Sequence, residues 1–312
     1  MTVAVQPKVS VSIITYNHAP FISQAIESAL MQQADFQFEI VVGEDKSTDG
    51  TREIVNGFAA RRPDRIRLLL HEREHLSYAN GKPTGNWNFA NNIKQCRGQY
   101  IALLDGDDYW TSPGKLQKQS DFLDANQDCA ICYHNARILD ESDPERVQLA
   151  ENKTGRKTLK NLLRGNFMQT CSVMFRAGLF GDFPEWFFRS SLGDWPLHVL
   201  NGRHGDIGYI DEVMGVYRKH STGAWSQHQE IASRAGTIQA AELLRECLDP
   251  ADQGYLDRNM ARWYKKLIAA CNAEGNVETA KKYSAEYREK FGRRSTGRKM
   301  LSKFLGIGKI AD

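Results

Sequence analysis

Between residues 8 and 105 the chain alternates short apolar β-type runs with helical patterns, and polar clusters close three of the runs. "KVSVSIIT" (8–15), "FEIVVGED" (38–45), "RIRLLL" (65–70) and "QYIALLD" (99–105) read as strands. Between the first two, "APFISQAIESALMQ" (19–32) sets Ile22, Ile26, Ala29 and Leu30 at helical spacing. Ser47, Thr48 and Asp49 are N-cap candidates for a second helix, and "WNFANNIKQC" (87–96) reads as a third after a Gly/Asn/Pro-rich loop from about Tyr78 to Asn86. Such alternation predicts βαβ units: an α/β fold with a mostly parallel sheet flanked by helices. Ligands of these sheets bind beyond the carboxyl ends of the strands. "TYNH" follows the first strand, "GEDKSTDG" ends the second and "DGDD" ends the fourth, so all three clusters fall on one predicted edge.

Several function classes drop out. No GxGxxG follows the first strand and no GxxxxGK[ST] occurs, which argues against a dinucleotide-binding dehydrogenase and a P-loop NTPase. A net charge of +3 over 312 residues is too mild to imply a nucleic-acid partner. "MTVAVQPKVSVSIITY" lacks the basic flank and apolar core of a signal peptide, and no run approaches the roughly 20 apolar residues of a membrane span. The expected location is the cytoplasm. Six cysteines in a chain this long form no disulfide framework, and the CxxC of Cys129 and Cys132 lies in a strand-like stretch, so buried thiols are expected.

Asp105, Asp107 and Asp108 crowd like charges at a strand end. A hard divalent cation, Mg²⁺ or Mn²⁺, would relieve that repulsion and bridge to the phosphates of a nucleotide. Gly106 would permit close backbone approach. The bland alternative is a solvated turn before the next helix. Asp45, after Glu44, can accept the ring N–H of a uracil-type base or a ribose hydroxyl; otherwise it is a turn residue. Thr15, Tyr16 and Asn17 end the first strand, with Tyr16 placed to lie against a base and Asn17 to fix backbone.

"VSVSIITYNHAPFISQAIESALMQQ", "FEIVVGEDKSTDGTREIV" and "GQYIALLDGDDYWTSPGKLQKQ" together resemble the family 2 glycosyltransferases of GT-A fold. The resemblance runs over roughly residues 8–225 and includes "GNFMQTCSVMFR", "SSLGDWPLHVL" and "DEVMGVYRKHSTGAWS", as in a bacterial branch of that family. It implies an inverting, metal-dependent transfer of a sugar from a nucleotide diphosphate donor, expected to be a UDP-sugar, to a hydroxyl of a saccharide, lipid-linked or protein acceptor in surface polysaccharide or glycoconjugate synthesis. It further implies that Thr15, Tyr16 and Asp45 hold the nucleoside, with Asn17 beside them in the nucleotide-sugar site, and that Asp105 and Asp107 form the DxD motif, with Asp107 the main ligand of Mn²⁺ or Mg²⁺ and Asp108 in support. Asp194 would be the catalytic base, His220 a contact to metal or diphosphate, and Lys82 and Asn88 looser contacts to the phosphates. Where the family pairs its base with a Glu, this chain has Gly193. Trp195, Trp186, Glu185 and Asp108 are candidates for the acceptor or sugar pocket, and Trp110 and Trp225 for stacking platforms. Each also has an ordinary reading: Asp194 as a helix N-cap, His220 as a structural histidine, the tryptophans as packing.

Two other function classes compete. A nucleotide-sugar-forming nucleotidyltransferase would carry a Gly-rich, basic loop after the first strand, where "TYNHAP" stands. An inactive nucleotide-binding scaffold would be expected to have lost some of Asp107, Asp194 and His220, all of which are present.

A glycosyltransferase domain is expected over 1–228 and a helical region over 229–312, with helices near 230–247, 254–272 and 277–291. The last twenty residues carry six basic side chains against one Asp. With Met300, Leu301, Phe304 and Leu305 as an apolar stripe, they would suit peripheral contact with the inner face of a membrane, or a plain terminal helix.

Overall fold

The β-branched, apolar runs form the central strands of a nine-stranded sheet in a computed structural model. The structure describes residues 6–304 except 74, 147, 151–154 and 222–229, with side chains to residue 292. The chain divides into two compact units, Met1–Gln227 and His228–Asp312.

In the first unit the elements run β1 (Val9–Thr15), α1 (Ile22–Leu30), β2 (Phe38–Glu44), α2 (Thr51–Arg61) and β3 (Ile66–Leu70). Then come β4 (Ser77–Ala79), β5 (Lys82–Thr84), α3 (Asn86–Gln95), β6 (Tyr100–Asp105), β7 (Tyr109–Trp110) and α4 (Lys115–Ala125). The unit continues with β8 (Cys129–Asp140), β9 (Gln148–Leu149), α5 (Leu159–Leu162), β10 (Val173–Arg176), α6 (Asp194–Gly202) and β11 (Asp206–Lys219). The sheet order is β3-β2-β1-β6-β10-β8-β11-β7, with β9 paired to β8. The first four strands are parallel; β10 is antiparallel to both neighbours, and β8 and β11 are again parallel to each other. The parallel half matches the alternation in the sequence, and the mixed half begins at β10, which inserts antiparallel between β6 and β8. The expected loop before α3 is instead a small antiparallel hairpin, β4–β5, turning at Asn80 and Gly81, both with positive φ.

Buried polar groups tie the helices to the sheet. The Asn92 amide donates to Ser12 Oγ (2.8 Å), the Ile13 carbonyl (3.2 Å) and the Val41 carbonyl (3.0 Å), joining α3 to β1 and β2. Trp110 is buried and its indole N–H donates to the Cys171 carbonyl at 2.8 Å. Cys129 and Cys132 are buried free thiols, and burial pushes Cys132 up to about 12.

The second unit is helical: α7 (Glu230–Leu244), α8 (Pro250–Ala273) and α9 (Val277–Phe304). Asp249 caps α8 by accepting from the Asp252 N–H, with Pro250 at its first position. Tyr264 of α8 is buried against Tyr283, Tyr287 and Phe291 of α9. The stripe of Met300, Leu301, Phe304 and Leu305 lies outside the described side chains, and Trp225 lies outside the described residues. No helix among the described residues is long and apolar enough to cross a membrane.

Lys115 is fully buried, with its ammonium 2.6 Å from Gln119 Oε1 and 4.0 Å from the centre of the Trp110 ring. Burial lowers its pKa from 10.5 to about 7. The unfolded chain therefore binds a proton that the folded chain releases between those values, so this residue makes stability rise with pH across that window. Lys115→Met is expected to be more stable than wild type below about pH 7, with the gap closing toward pH 10.5 in urea titrations.

Candidate active site at the carboxyl edge of the parallel strands

Register explains the convergence of the polar clusters. β1 pairs with β2 so that Thr15 faces Glu44, and with β6 so that Ile14 faces Asp105. Pairing continues past the strand ends: the Asp45 N–H donates to the Thr15 carbonyl (3.1 Å) and the Gly106 N–H to the Ile14 carbonyl (2.9 Å). Thr15, Asp45 and the DGDD turn thus lie side by side.

The loop after β1 is locked to the start of α2. Asn17 has a positive φ of 54°; its N–H donates to Ser47 Oγ and its side-chain oxygen accepts from the Thr48 N–H, both at 2.9 Å. The His18 N–H donates to Thr51 Oγ1 (2.8 Å) and the Ala19 N–H to Asp49 Oδ2 (2.9 Å). Asn17 therefore fixes backbone as its sequence position suggests. Tyr16 is 39% exposed, and the Arg73 guanidinium lies 4.2 Å from its ring centre. Arg73 Nε is also 3.5 Å from Asp45 Oδ2. Buried Glu44 is paired with Arg52, which also binds Glu72 and the His71 carbonyl.

Asp105, Asp107 and Asp108 each offer an oxygen, all within 4.8 Å of one another. Asp107 Oδ2 lies 3.0 Å from His220 Nε2 and 3.7 Å from His18 Nε2. Arg218 clamps the turn: its backbone N–H donates to Asp108 Oδ1 and its Nε to the Asp107 carbonyl, both at 2.8 Å. A side chain at Gly106 would run into Thr15 Oγ1 (2.8 Å) and His18 Nδ1 (2.9 Å), which is why the turn needs glycine there. Burial, then the charges of Asp107 and Asp194, push Asp105 up to about 8. Burial raises Asp107 as well, but the His220 hydrogen bond and the charges of both histidines outweigh it and leave its pKa below the usual value. Asp108 is held well above the usual range by burial and its two neighbours. Three close carboxyl groups supply the oxygen donors a hard divalent cation takes, so the residues fit such an ion.

Asp194 is the first residue of α6; Gly193, not Asp194, occupies the N-cap position. Its Oδ1 accepts from the Trp195 N–H and its Oδ2 from the Asn166 amide, each at 2.7 Å. Burial raises its pKa against these bonds. Burial also raises the Tyr217 phenol, with contributions from Asp108, Asp107, Asp105 and Asp194, so all four carboxylates act on one ring. A Cβ at Gly193 would lie 3.0 Å from Asn86 Oδ1 and 3.2 Å from Phe89, so a larger residue here would crowd α3.

Other sequence candidates lie elsewhere. Asn88 is buried, and its amide donates to the Gly43 carbonyl at 3.0 Å, so it braces the sheet and does not reach into the cluster. Lys82 is exposed on the β4–β5 hairpin and bonds to none of these residues. Trp195 is 1% exposed and its indole donates to the Leu162 carbonyl, while Trp186 is 4% exposed beside Phe187. Neither ring offers a face to a sugar, because both are consumed by packing. Asp108 is buried beneath the turn and cannot line an acceptor pocket. Glu185 opens a short 3-10 turn, Glu185–Arg189. His18, Arg73, Arg218 and Asn166 were missed. His18 and Arg218 stood within quoted motifs, "TYNH" and "YRKH", but Arg73 and Asn166 carried no local signal.

A mannosyltransferase from Pyrobaculum calidifontis, solved with GDP-mannose and Mn²⁺, has a similar fold: TM-score 0.59 at 19% identity, over 96% of this chain and 81% of that one. An uncharacterized protein of Mycobacterium tuberculosis is 34% identical over 218 residues, 69% of this chain; the match spans only 60% of that relative's length. The GalNAc(5)-diNAcBac-PP-undecaprenol β-1,3-glucosyltransferase of Campylobacter jejuni is 26% identical over 287 residues, 90% of this chain and 86% of that protein. The glycosyl transferase family 2 profile matches residues 10–187, from β1 through the DGDD turn to the segment before α6. With more than half its length matched, and with a GT-A-type sheet presenting those polar clusters at one edge, this chain belongs to glycosyl transferase family 2.

Proposed function

We propose that the protein is an inverting glycosyltransferase that uses a divalent cation and moves a sugar from a nucleotide diphosphate-sugar, a UDP-sugar by preference, to a hydroxyl acceptor in polysaccharide or glycoconjugate synthesis. The observation that carries this reading is the carboxyl group triad of Asp105, Asp107 and Asp108 beside Thr15 and Asp45 on one sheet edge. Asp45 accepts an N–H of the base or a ribose hydroxyl, and Tyr16 supplies a flat face beside it. Asp105 and Asp107 hold the cation, Mn²⁺ or Mg²⁺, which when bound neutralises charge growing on the departing diphosphate. His220 and His18 flank Asp107 and are positioned for the same diphosphate. Asp194 takes the proton of the acceptor hydroxyl, whose oxygen attacks the anomeric carbon from the face opposite the nucleotide. One such displacement inverts the centre, through a transition state of oxocarbenium character. A lipid-linked saccharide is the acceptor class we favour, because the Campylobacter relative is named for a polyprenyl diphosphate-linked oligosaccharide. The domain that does this work comprises residues 1–228.

A thermal-shift panel of UDP- and GDP-sugars, with Mn²⁺ and with chelator, tests the reading. A donor present at about 100 times its Kd contributes about 2.7 kcal/mol. The expected result is a rise in Tm with a UDP-sugar that chelation removes; a rise only with GDP-sugars would reassign the base. Asp107→Ala is expected to abolish cation-dependent donor binding by calorimetry, and unchanged affinity with Mn²⁺ present would remove the metal assignment. Asp194→Asn is expected to bind donor normally yet lose about a thousandfold in turnover; a variant with wild-type turnover would place the base elsewhere.

A further inference from the structure

We propose that Asn166 is the positioning residue for Asp194, orienting its carboxylate for proton abstraction; this rests on the reading of Asp194 as the base. The Asn166 side-chain oxygen accepts from the Met168 N–H at 3.1 Å, which fixes which way the amide faces. Its Nδ2 is thereby turned to Asp194 Oδ2, 2.7 Å away. The backbone is shaped for this contact. α5 ends with the Gly165 N–H donating to the Leu162 carbonyl, and Gly165 has a φ of 127°, a conformation closed to ordinary L-residues, which lets the next residue turn toward α6.

The two segments also travel together. The Trp195 indole N–H donates to the Leu162 carbonyl at 2.9 Å, and the Trp195 backbone N–H donates to Asp194 Oδ1 at 2.7 Å. One buried tryptophan thus bolts α5 to α6 with Asn166 and Asp194 facing each other. Each carboxylate oxygen accepts an N–H, from Trp195 on one and Asn166 on the other, so the group is held from both sides. Hydrogen bonds of this kind favour the charged form of a carboxyl group and so oppose the upward push of burial on Asp194.

Two substitutions separate this role from a structural one. Asn166→Leu removes both amide bonds. Asn166→Asp is isosteric and keeps an acceptor for the Met168 N–H, but it replaces the donor to Asp194 with a second carboxyl group. A purely structural role predicts lower stability in both variants with little change in the kcat of the folded enzyme. The positioning role predicts that kcat falls in both, more in the Asp variant than in the Leu variant. For release of UDP from the UDP-sugar selected by the thermal-shift panel, kcat should fall about tenfold in the Leu variant and about a hundredfold in the Asp variant. The donor KM of both variants should stay unchanged, and the kcat–pH profile of the Asp variant should move to higher pH, a shift that a merely structural role would not produce. A kcat for Asn166→Asp within about threefold of wild type would overturn the proposal. Asp194→Asn run in parallel distinguishes the failures: wild-type turnover there rejects Asp194 as base and the proposal with it, whereas an inactive Asp194→Asn beside an active Asn166→Asp rejects only the role of Asn166.

Discussion

Repulsion among Asp105, Asp107 and Asp108 is the constraint on which the rest of the first unit depends. Three carboxyl groups within 4.8 Å oppose one another's ionisation, and the fold must hold them there against that repulsion. It does so with groups from distant parts of the chain. Arg218 and His220 come from the end of β11 and the residue just beyond it, and His18 from the loop after β1. Arg218 uses both its backbone and its guanidinium on the turn, while its side chain also reaches Gln24 of α1. The last long strand of the unit is therefore tied to the first crossover through the acidic turn.

That tie accounts for the mixed half of the sheet. β11 runs fourteen residues beside β8 with register shifts near Ile210 and Val213, and its far end pairs with the two-residue β7 directly after the DGDD turn. Bulges of this kind bend a strand and re-aim its end. Here the end carries Tyr217, Arg218 and His220 to the acidic cluster. The parallel half supplies the three carboxyl groups and the His18 imidazole, and the end of β11 in the mixed half adds Arg218 and His220.

Legibility in the sequence followed the range of the interactions. β1, β2, β3 and β6 were readable because a buried parallel strand is a local apolar run, and their shared edge followed from topology alone. The β4–β5 hairpin was hidden because Gly, Asn and Pro signal a turn but not the three-residue strands on either side. Within the site, Asp105, Asp107, Asp45 and Asn17 were visible as local clusters at strand ends. Asn88 is harder to read, because helix position alone does not say whether an amide faces a ligand or a backbone carbonyl such as that of Gly43. Asn166 and Arg73 could not be found at all, since their partners lie 28 residues away in each case, at Asp194 and Asp45.

The tryptophans show how burial redirects a side chain that seems made for recognition. An aromatic beside a proposed base invites the idea of a sugar platform, yet Trp195 is 1% exposed and spends its only polar atom on the Leu162 carbonyl. A buried indole must satisfy its N–H, and the nearest acceptor decides what it joins. In this fold the acceptor belongs to the end of α5, so the ring fastens the loop bearing Asn166 to the helix that begins with Asp194. The residue next to the carboxylate then contributes by rigidity: its backbone N–H holds one oxygen of Asp194, and its ring fixes the segment whose amide holds the other.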